Sequence, residues 1–137
     1  MKTVTMKAIE LLKSSTDTLV AINGDTVYRS DKKGIIPIMD LLDGDKKVLL
    51  NASVADKIIG GAAAFLLVYG GVSEVYGETM SDKAVSVLEN AGIPFTYGTL
   101  VPHIKNRSGD DLCPLERLCL NAATPTEAYK EITEFLL

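Results

Sequence analysis

Cysteine and histidine are scarce in this 137-residue sequence, which has two of the first and one of the second. Residues 1–12 carry polar and charged side chains at helical spacing, so we expect no secretory signal there. Two cysteines in a chain without such a signal predict reduced thiols and a cytoplasmic protein.

An excess of positive charge and long apolar runs are also missing. The formal net charge is −4, which argues against a nucleic-acid partner and against a polybasic membrane anchor, because both need clustered Lys and Arg. The longest apolar stretch, Ile58–Tyr69, is too short to span a bilayer. We therefore predict no nucleic-acid partner and no membrane partner.

Hydrophobic residues make up 47% of the chain, which is enough to build a core, and disorder is not expected. There are no repeats and no low-complexity linker, so we predict a single domain over residues 1–137.

Two β-type runs within Thr18–Ser30 flank Asn23-Gly24, which predicts an N-terminal β-hairpin. A short amphipathic helix precedes it, with its apolar residues between Met6 and Leu12. After the hairpin, helices and strands alternate. The predicted helices are Gly34–Leu42, Asp56–Tyr69, Ser81–Ala91, one starting at Cys113, and one capped by Thr124; the strands are Lys47–Ser53, Ser73–Tyr76 and Pro94–Leu100.

Strand–helix–strand units of this length imply right-handed crossovers and parallel central strands. The predicted fold class is therefore α/β: a three-layer α/β/α sandwich around a mixed sheet, with the N-terminal hairpin at one edge.

Two segments carry a family resemblance, Asp56-Lys-Ile-Ile-Gly-Gly-Ala-Ala-Ala64 and Asn106-Arg-Ser-Gly-Asp-Asp-Leu-Cys-Pro-Leu-Glu116. From the Asn23-Gly24 hairpin to Glu116, the chain resembles a prokaryotic family catalogued as a domain of unknown function, DUF1893. The resemblance implies a cytidine-deaminase-like fold, which agrees with the order of elements above. It implies no established activity.

Zinc deaminases place His-x-Glu at the start of the helix after the hairpin, and Pro-Cys-x-x-Cys at the start of the next one. Here the first of these helices begins Lys33-Gly-Ile-Ile36 and the second begins Ala55-Asp-Lys-Ile58, so neither offers these ligands. We therefore predict no bound zinc, no other metal and no cofactor.

Asp56 has two interpretations, both as the N-cap of its helix. It either only accepts a backbone N–H there, or lies where open α/β sheets bind ligands, at the carboxyl ends of parallel strands. In the second case the adjacent Lys57 binds an anion or pairs with the carboxylate. Gly60 and Gly61, inside the helix, favour close helix-to-sheet packing over a phosphate cradle.

Cys113-Pro-Leu-Glu116 reads as a helix start, with Pro114 at the first helical position and Glu116 closing a capping box on the Cys113 amide. Cysteine is a poor cap as a thiol. As a thiolate it accepts amide hydrogen bonds and is favoured by the helix dipole, which makes it a candidate nucleophile or redox thiol. The alternative is a small buried residue, the role predicted for Cys119.

Three more residues are candidate ligand contacts. His103 follows a strand and is either a structural group or a base for Cys113. Asn106 and Arg107 are either turn residues or a ligand clamp, since a guanidinium suits carboxylate and phosphate groups.

Two functional hypotheses follow. In the first, the chain binds a small ligand, nucleotide-like or anionic, in a deaminase-like cleft near Asp56 and Cys113 that has lost its metal. In the second, it is a non-zinc enzyme using Cys113, helped by Asp56, Lys57 or His103, and the candidate catalytic residues are Cys113, Asp56 and Glu116. Whether it is an enzyme is left open. A third, structural alternative is a homo-oligomeric scaffold, because relatives of this fold often self-associate.

Overall fold

Five strands form one open, mixed sheet in the computed structural model, which describes residues 1–105 and 113–137. They are β1 (Leu19–Asn23), β2 (Thr26–Ser30), β3 (Ser53–Ile59), β4 (Glu74–Ser81) and β5 (Phe95–Val101). Their order is β2-β1-β3-β4-β5; β1 is antiparallel to β2 and β3, whereas β3, β4 and β5 are parallel. The predicted α/β class, mixed sheet and edge hairpin are therefore confirmed.

Helices connect and cover these strands. In the described residues they are α1 (Thr3–Lys13), α2 (Ile36–Asp43), α3 (Gly61–Gly70), α4 (Asp82–Asn90), α5 (Pro114–Leu118) and α6 (Pro125–Leu136). In this part of the chain, none of the helices is both long enough and apolar enough to cross a membrane.

Side chains alternate across the strands and build two hydrophobic clusters. On one face, Ala8 and Leu12 of α1 pack against Val20, Ala55 and Tyr76 of the sheet. The larger cluster lies on the other face of the sheet, where the alternate strand residues, such as Leu19 and Val54, point. It also includes residues of α2, α3, α4 and α6. The central strands β1, β3 and β4 are thus covered on both faces, whereas much of the edge strands β2 and β5 is exposed.

Local turn and cap signals give the boundaries that the sequence predicted. The hairpin turns at Gly24, whose φ of 58° favours glycine. The Ser81 hydroxyl accepts the Ala84 N–H at 3.2 Å and so caps α4. Thr124 caps α6 by accepting the N–H of Glu127 at 3.1 Å. The predicted turn at Asn23-Gly24 and the predicted cap at Thr124 are confirmed, and Ser81, predicted as the first residue of its helix, is the N-cap of α4.

The predicted strand Lys47–Ser53 is wrong. Lys46–Val48 forms a single 3-10 turn, and Asn51 has a φ of 65°, a left-handed conformation that interrupts any strand. Asparagine tolerates that conformation better than most residues, so the chain turns there and β3 starts only at Ser53.

The predicted helix Asp56–Tyr69 is wrong at its start. Asp56 is the fourth residue of β3, paired with Leu19 of β1 and Gly77 of β4. The strand continues to Ile59, and α3 starts at Gly61. Pairing with strands on both sides outweighs the helical start signal of the Asp56 segment. Asp56 is therefore not a helix N-cap.

Candidate functional site

A cleft of about 690 Å³ lies near the carboxyl end of β3. Its walls come from six places: the residue before β1, the segment leading into α2, the second half of β3, the start of α3, the residues after β5, and the residues around the start of α5. Open α/β sheets bind ligands in this position relative to their parallel strands. The cleft is lined by Thr18, Lys33, Gly34, Ile35, Asp56, Lys57, Ile58, Gly60, Ala62, Ala63, Ile104, Lys105, Cys113, Pro114, Leu115 and Glu116.

Asp56 is one of the residues that line the cleft, and only 4% of it is exposed. Its Oδ1 accepts the Ile58 N–H at 3.4 Å, and its buried Oδ2 has no hydrogen-bond partner among the described residues. Burial raises the pKa of Asp56 from 3.8 to about 8, against the weaker opposing effect of the backbone hydrogen bonds. At neutral pH this carboxyl group is therefore largely an uncharged acid.

Lys57 does not pair with Asp56. The structure shows no ion pair between them within residues 1–105 and 113–137. Successive residues of a strand point to opposite faces, so Lys57 leaves β3 on the side opposite to Asp56. The cleft has two further lysines, Lys33 and Lys105, both exposed.

Glu116 is buried, with 2% of its surface exposed, and its carboxylate joins the start of α3 to the segment after β5. Its Oε1 accepts the N–H of Gly61 at 2.6 Å and a weaker bond from the Ser81 hydroxyl at 3.4 Å. Its Oε2 accepts the Ile104 N–H at 2.7 Å. The predicted capping box with Cys113 is therefore wrong: Glu116 caps the N-terminus of α3, a different helix.

Gly60 and Gly61 permit this contact. A Cβ at Gly60 would lie 3.1 Å from Glu116 Oε2, and a Cβ at Gly61 would lie 3.1 Å from Glu116 Oε1. Both distances are too short for an ordinary contact. The two glycines precede and begin α3 instead of lying inside a helix, and the anion at this helix end is the protein's own carboxylate.

The two cysteines differ in environment. Cys113 lines the cleft, is partly exposed and directly precedes α5. Its side chain makes no capping hydrogen bond. Cys119 is fully buried, and burial raises the pKa of its thiol to about 11.

We expect Cys113 to react with iodoacetamide at least about tenfold faster than Cys119 at pH 8, because only an accessible thiolate reacts. Peptide mass spectrometry of the folded protein at timed intervals measures both rates. In urea the two rates should converge, which provides the control. Equal rates in the folded state would contradict the assigned difference in burial.

His103 does not share the cleft with Cys113. It is exposed and lines a smaller, adjoining depression that shares Ile58, Ile104 and Lys105 with the cleft. Within the described residues, no hydrogen bond joins His103 to Cys113. The predicted contacts Asn106 and Arg107 lie outside the described residues.

A family model described as a domain of unknown function, DUF1893, matches residues 7–136. The chain belongs to this family. A search of curated proteins found no match. Among solved structures, a DUF1893 family protein from Thermotoga maritima is similar, with 22% sequence identity and a TM-score of 0.88 over 98% of this chain and 91% of that chain. At this identity the similarity shows the fold alone.

The sequence analysis did not identify several residues that line the cleft of this chain, notably Thr18, Lys33 and Lys105. Lys33 could have been predicted, because it lies just before the helix that follows the hairpin. The family resemblance implies that the start of this helix borders the site. Thr18 and Lys105 carry no comparable signal. In the described part of the chain, no three His, Cys, Asp or Glu side chains are grouped so that they could hold a metal ion.

Proposed function

We propose that this chain is a ligand-binding domain that takes a small organic anion, nucleotide-like in size, into the cleft near Asp56 and Cys113. The observation that carries the proposal is the Asp56 carboxyl group, which is 4% exposed, has an oxygen without a partner among the described residues, and lines a cleft of about 690 Å³. A buried polar atom without a partner costs folding free energy. A bound ligand would offset that cost by supplying the missing hydrogen bond.

The size and charge of the cleft support a small anion. Ligand pockets have volumes of roughly 300–1,000 Å³, and the cleft falls within that range. Lys33 and Lys105 are exposed residues of the cleft, and neither has an ion pair among the residues described. The Gly61 N–H at the N-terminus of α3 already donates to Glu116. The anionic group of the ligand would therefore contact these lysines and not the helix N-terminus.

The wider arrangement is also part of this proposal. The strand order β2-β1-β3-β4-β5 and the two hydrophobic clusters on opposite faces of the sheet support a single three-layer, cytidine-deaminase-like domain without its zinc ligands. In that arrangement the cleft occupies the position of the deaminase site.

We expect at least one of inorganic phosphate, the four common nucleoside 5′-monophosphates and benzoate to stabilise the protein. A ligand at ten times its Kd contributes about 1.4 kcal/mol, which raises Tm by about 3–6 °C in a domain of this size. Thermal unfolding over a concentration series measures the shift.

Substitution of Lys33 and Lys105 tests whether the cleft lysines bind the ligand. Lys33→Glu/Lys105→Glu should remove most of the ligand-induced shift, whereas Lys130→Glu, at an exposed lysine of α6 outside the cleft, should keep it. The absence of any shift over the whole panel would refute the proposed function.

The second candidate is a thiol-dependent enzyme, favoured by one observation: Cys113 is partly exposed and lines the same cleft as Asp56. Such an enzyme should lose its reaction on Cys113→Ser, whereas a binding domain should keep its ligand-induced Tm shift in that variant. A reaction that persists in Cys113→Ser would contradict the enzyme hypothesis, whereas the Tm shift alone is expected under both hypotheses.

A further inference from the structure

We infer that the ligand presents to Asp56 an edge with one hydrogen-bond acceptor next to one donor, as in a carboxamide, and presents its anionic group to the cleft lysines. This inference rests on the proposed function and names the chemistry that Asp56 recognises.

The surroundings of Asp56 exclude a charged partner within the described residues. Its neighbours across the sheet are Leu19 and Gly77, and neither bears a charge. Lys57 leaves the opposite face of β3, and Asp56 makes no ion pair in the part of the chain that is described. A carboxylate here would have only backbone N–H groups, that of Ile58 at 3.4 Å and that of Lys57, to offset its burial.

A buried carboxyl group without a cation keeps its proton, in agreement with the raised pKa of Asp56. In that form it offers an O–H donor and a C=O acceptor side by side. The complementary ligand edge has an acceptor beside a donor. An amidinium or guanidinium group offers only donors and a positive charge, so it requires the ionised form and must displace the proton.

Two matched probes test whether Asp56 prefers an acceptor–donor edge or a cationic edge with donors only. 4-Carbamoylbenzoate and 4-amidinobenzoate share the anionic carboxylate and the aromatic ring, and they differ only in having a neutral acceptor–donor head or a cationic donor–donor head. Isothermal titration calorimetry at pH 7 should show the carbamoyl compound binding at least about tenfold more tightly.

The pH dependence provides a second readout. If the ligand requires protonated Asp56, its affinity should be about tenfold weaker at pH 9 than at pH 7, because ionisation removes the competent form above a pKa of about 8. Binding at pH 9 should also take up a proton, which is measured from the heat in two buffers of different ionisation enthalpy.

Other titratable or charged groups of the described cleft are Lys33 before α2, Lys57 on β3, Lys105 after β5, and Cys113 and Glu116 at α5. Asp56→Asn separates their effects from that of Asp56. The asparagine amide imitates the acceptor and donor of the acid, so binding should weaken by no more than about tenfold and become nearly independent of pH.

Tighter binding of the amidine, or an affinity that rises between pH 7 and 9, would overturn the inference. So would a failure of both probes to bind to a protein that does bind a member of the phosphate, nucleotide and benzoate panel, and in that case the proposed function would stand. If neither the probes nor the panel bind, both are refuted.

Discussion

Replacing Asp56 with asparagine is expected to flatten the dependence of folding stability on pH between about pH 4 and pH 8, and to leave the variant less sensitive to alkali than the unsubstituted protein. The cause is the buried carboxyl group, whose pKa is raised by burial from 3.8 to about 8 in the folded protein. The unfolded chain returns the group to its ordinary value.

The sign follows from proton binding. Between the two pKa values the folded state holds a proton that the unfolded state has released, so the free energy of unfolding falls as pH rises. Below pH 4 Asp56 has no such effect, and above pH 8 its cost is complete. Each pKa unit is equivalent to about 1.4 kcal/mol, so the whole effect is on the order of 5 kcal/mol.

Urea unfolding at pH 5, 7 and 9 measures this dependence for both proteins. Glu74→Gln is a matched control of opposite sign. Burial acts to raise the pKa of Glu74, but hydrogen bonding, including the Lys2 N–H at 3.0 Å, lowers it overall. Its substitution should therefore reduce stability at neutral pH and matter less as pH falls through the Glu74 pKa. Parallel pH curves for Asp56→Asn and the unsubstituted protein would disprove the raised pKa.

The parts of the fold that the sequence predicted depend on neighbouring residues. Asn23-Gly24 specifies a turn through the backbone freedom of glycine, and Thr124 specifies a helix start through its own hydroxyl group. These signals act within a few residues, so they can be read without knowing the rest of the chain.

The assignment failed for β3 because its pairing depends on distant residues. Asp56 looks like a helix cap in its own segment, but Leu19 and Gly77 pair with it from two other strands. The strand before it was misplaced for a related reason, since Asn51 adopts a left-handed conformation that its type permits but does not require.

In the site, too, the choice of residues could be predicted from local sequence, whereas their contacts with distant residues could not. Sequence reasoning selected Asp56, Cys113 and Glu116, and the structure places all three around one cleft, although their use by a ligand stays a prediction. The contacts of Glu116 could not be derived, because a carboxylate three residues after a potential N-cap equally fits a local capping box. Only the packing of α5 beside α3 brings Glu116 to Gly61 instead.

Glu116→Ala is expected to lower the free energy of unfolding by about 3–5 kcal/mol, because it removes two short hydrogen bonds to a carboxylate and leaves the N–H groups of Gly61 and Ile104 without that acceptor. Glu116→Gln should cost less, about 2 kcal/mol, since its carbonyl oxygen can still accept one of the two. Urea unfolding at pH 7 measures both. Glu134→Ala, at an exposed carboxylate of α6, should change stability by less than about 0.5 kcal/mol.

A double-mutant cycle tests whether the glycine at the start of α3 is required by Glu116. Gly61→Ala should destabilise the unsubstituted protein by about 1–2 kcal/mol, because the new Cβ lies 3.1 Å from Glu116 Oε1 and 2.7 Å from the flexible Lys83 side chain. In the Glu116→Ala background the lysine can move into the vacated space, and alanine is the better helix former, so the same change should be neutral or stabilising. An equal cost in both backgrounds would show that the two positions are independent, and that the close approach of the carboxylate does not require glycine there.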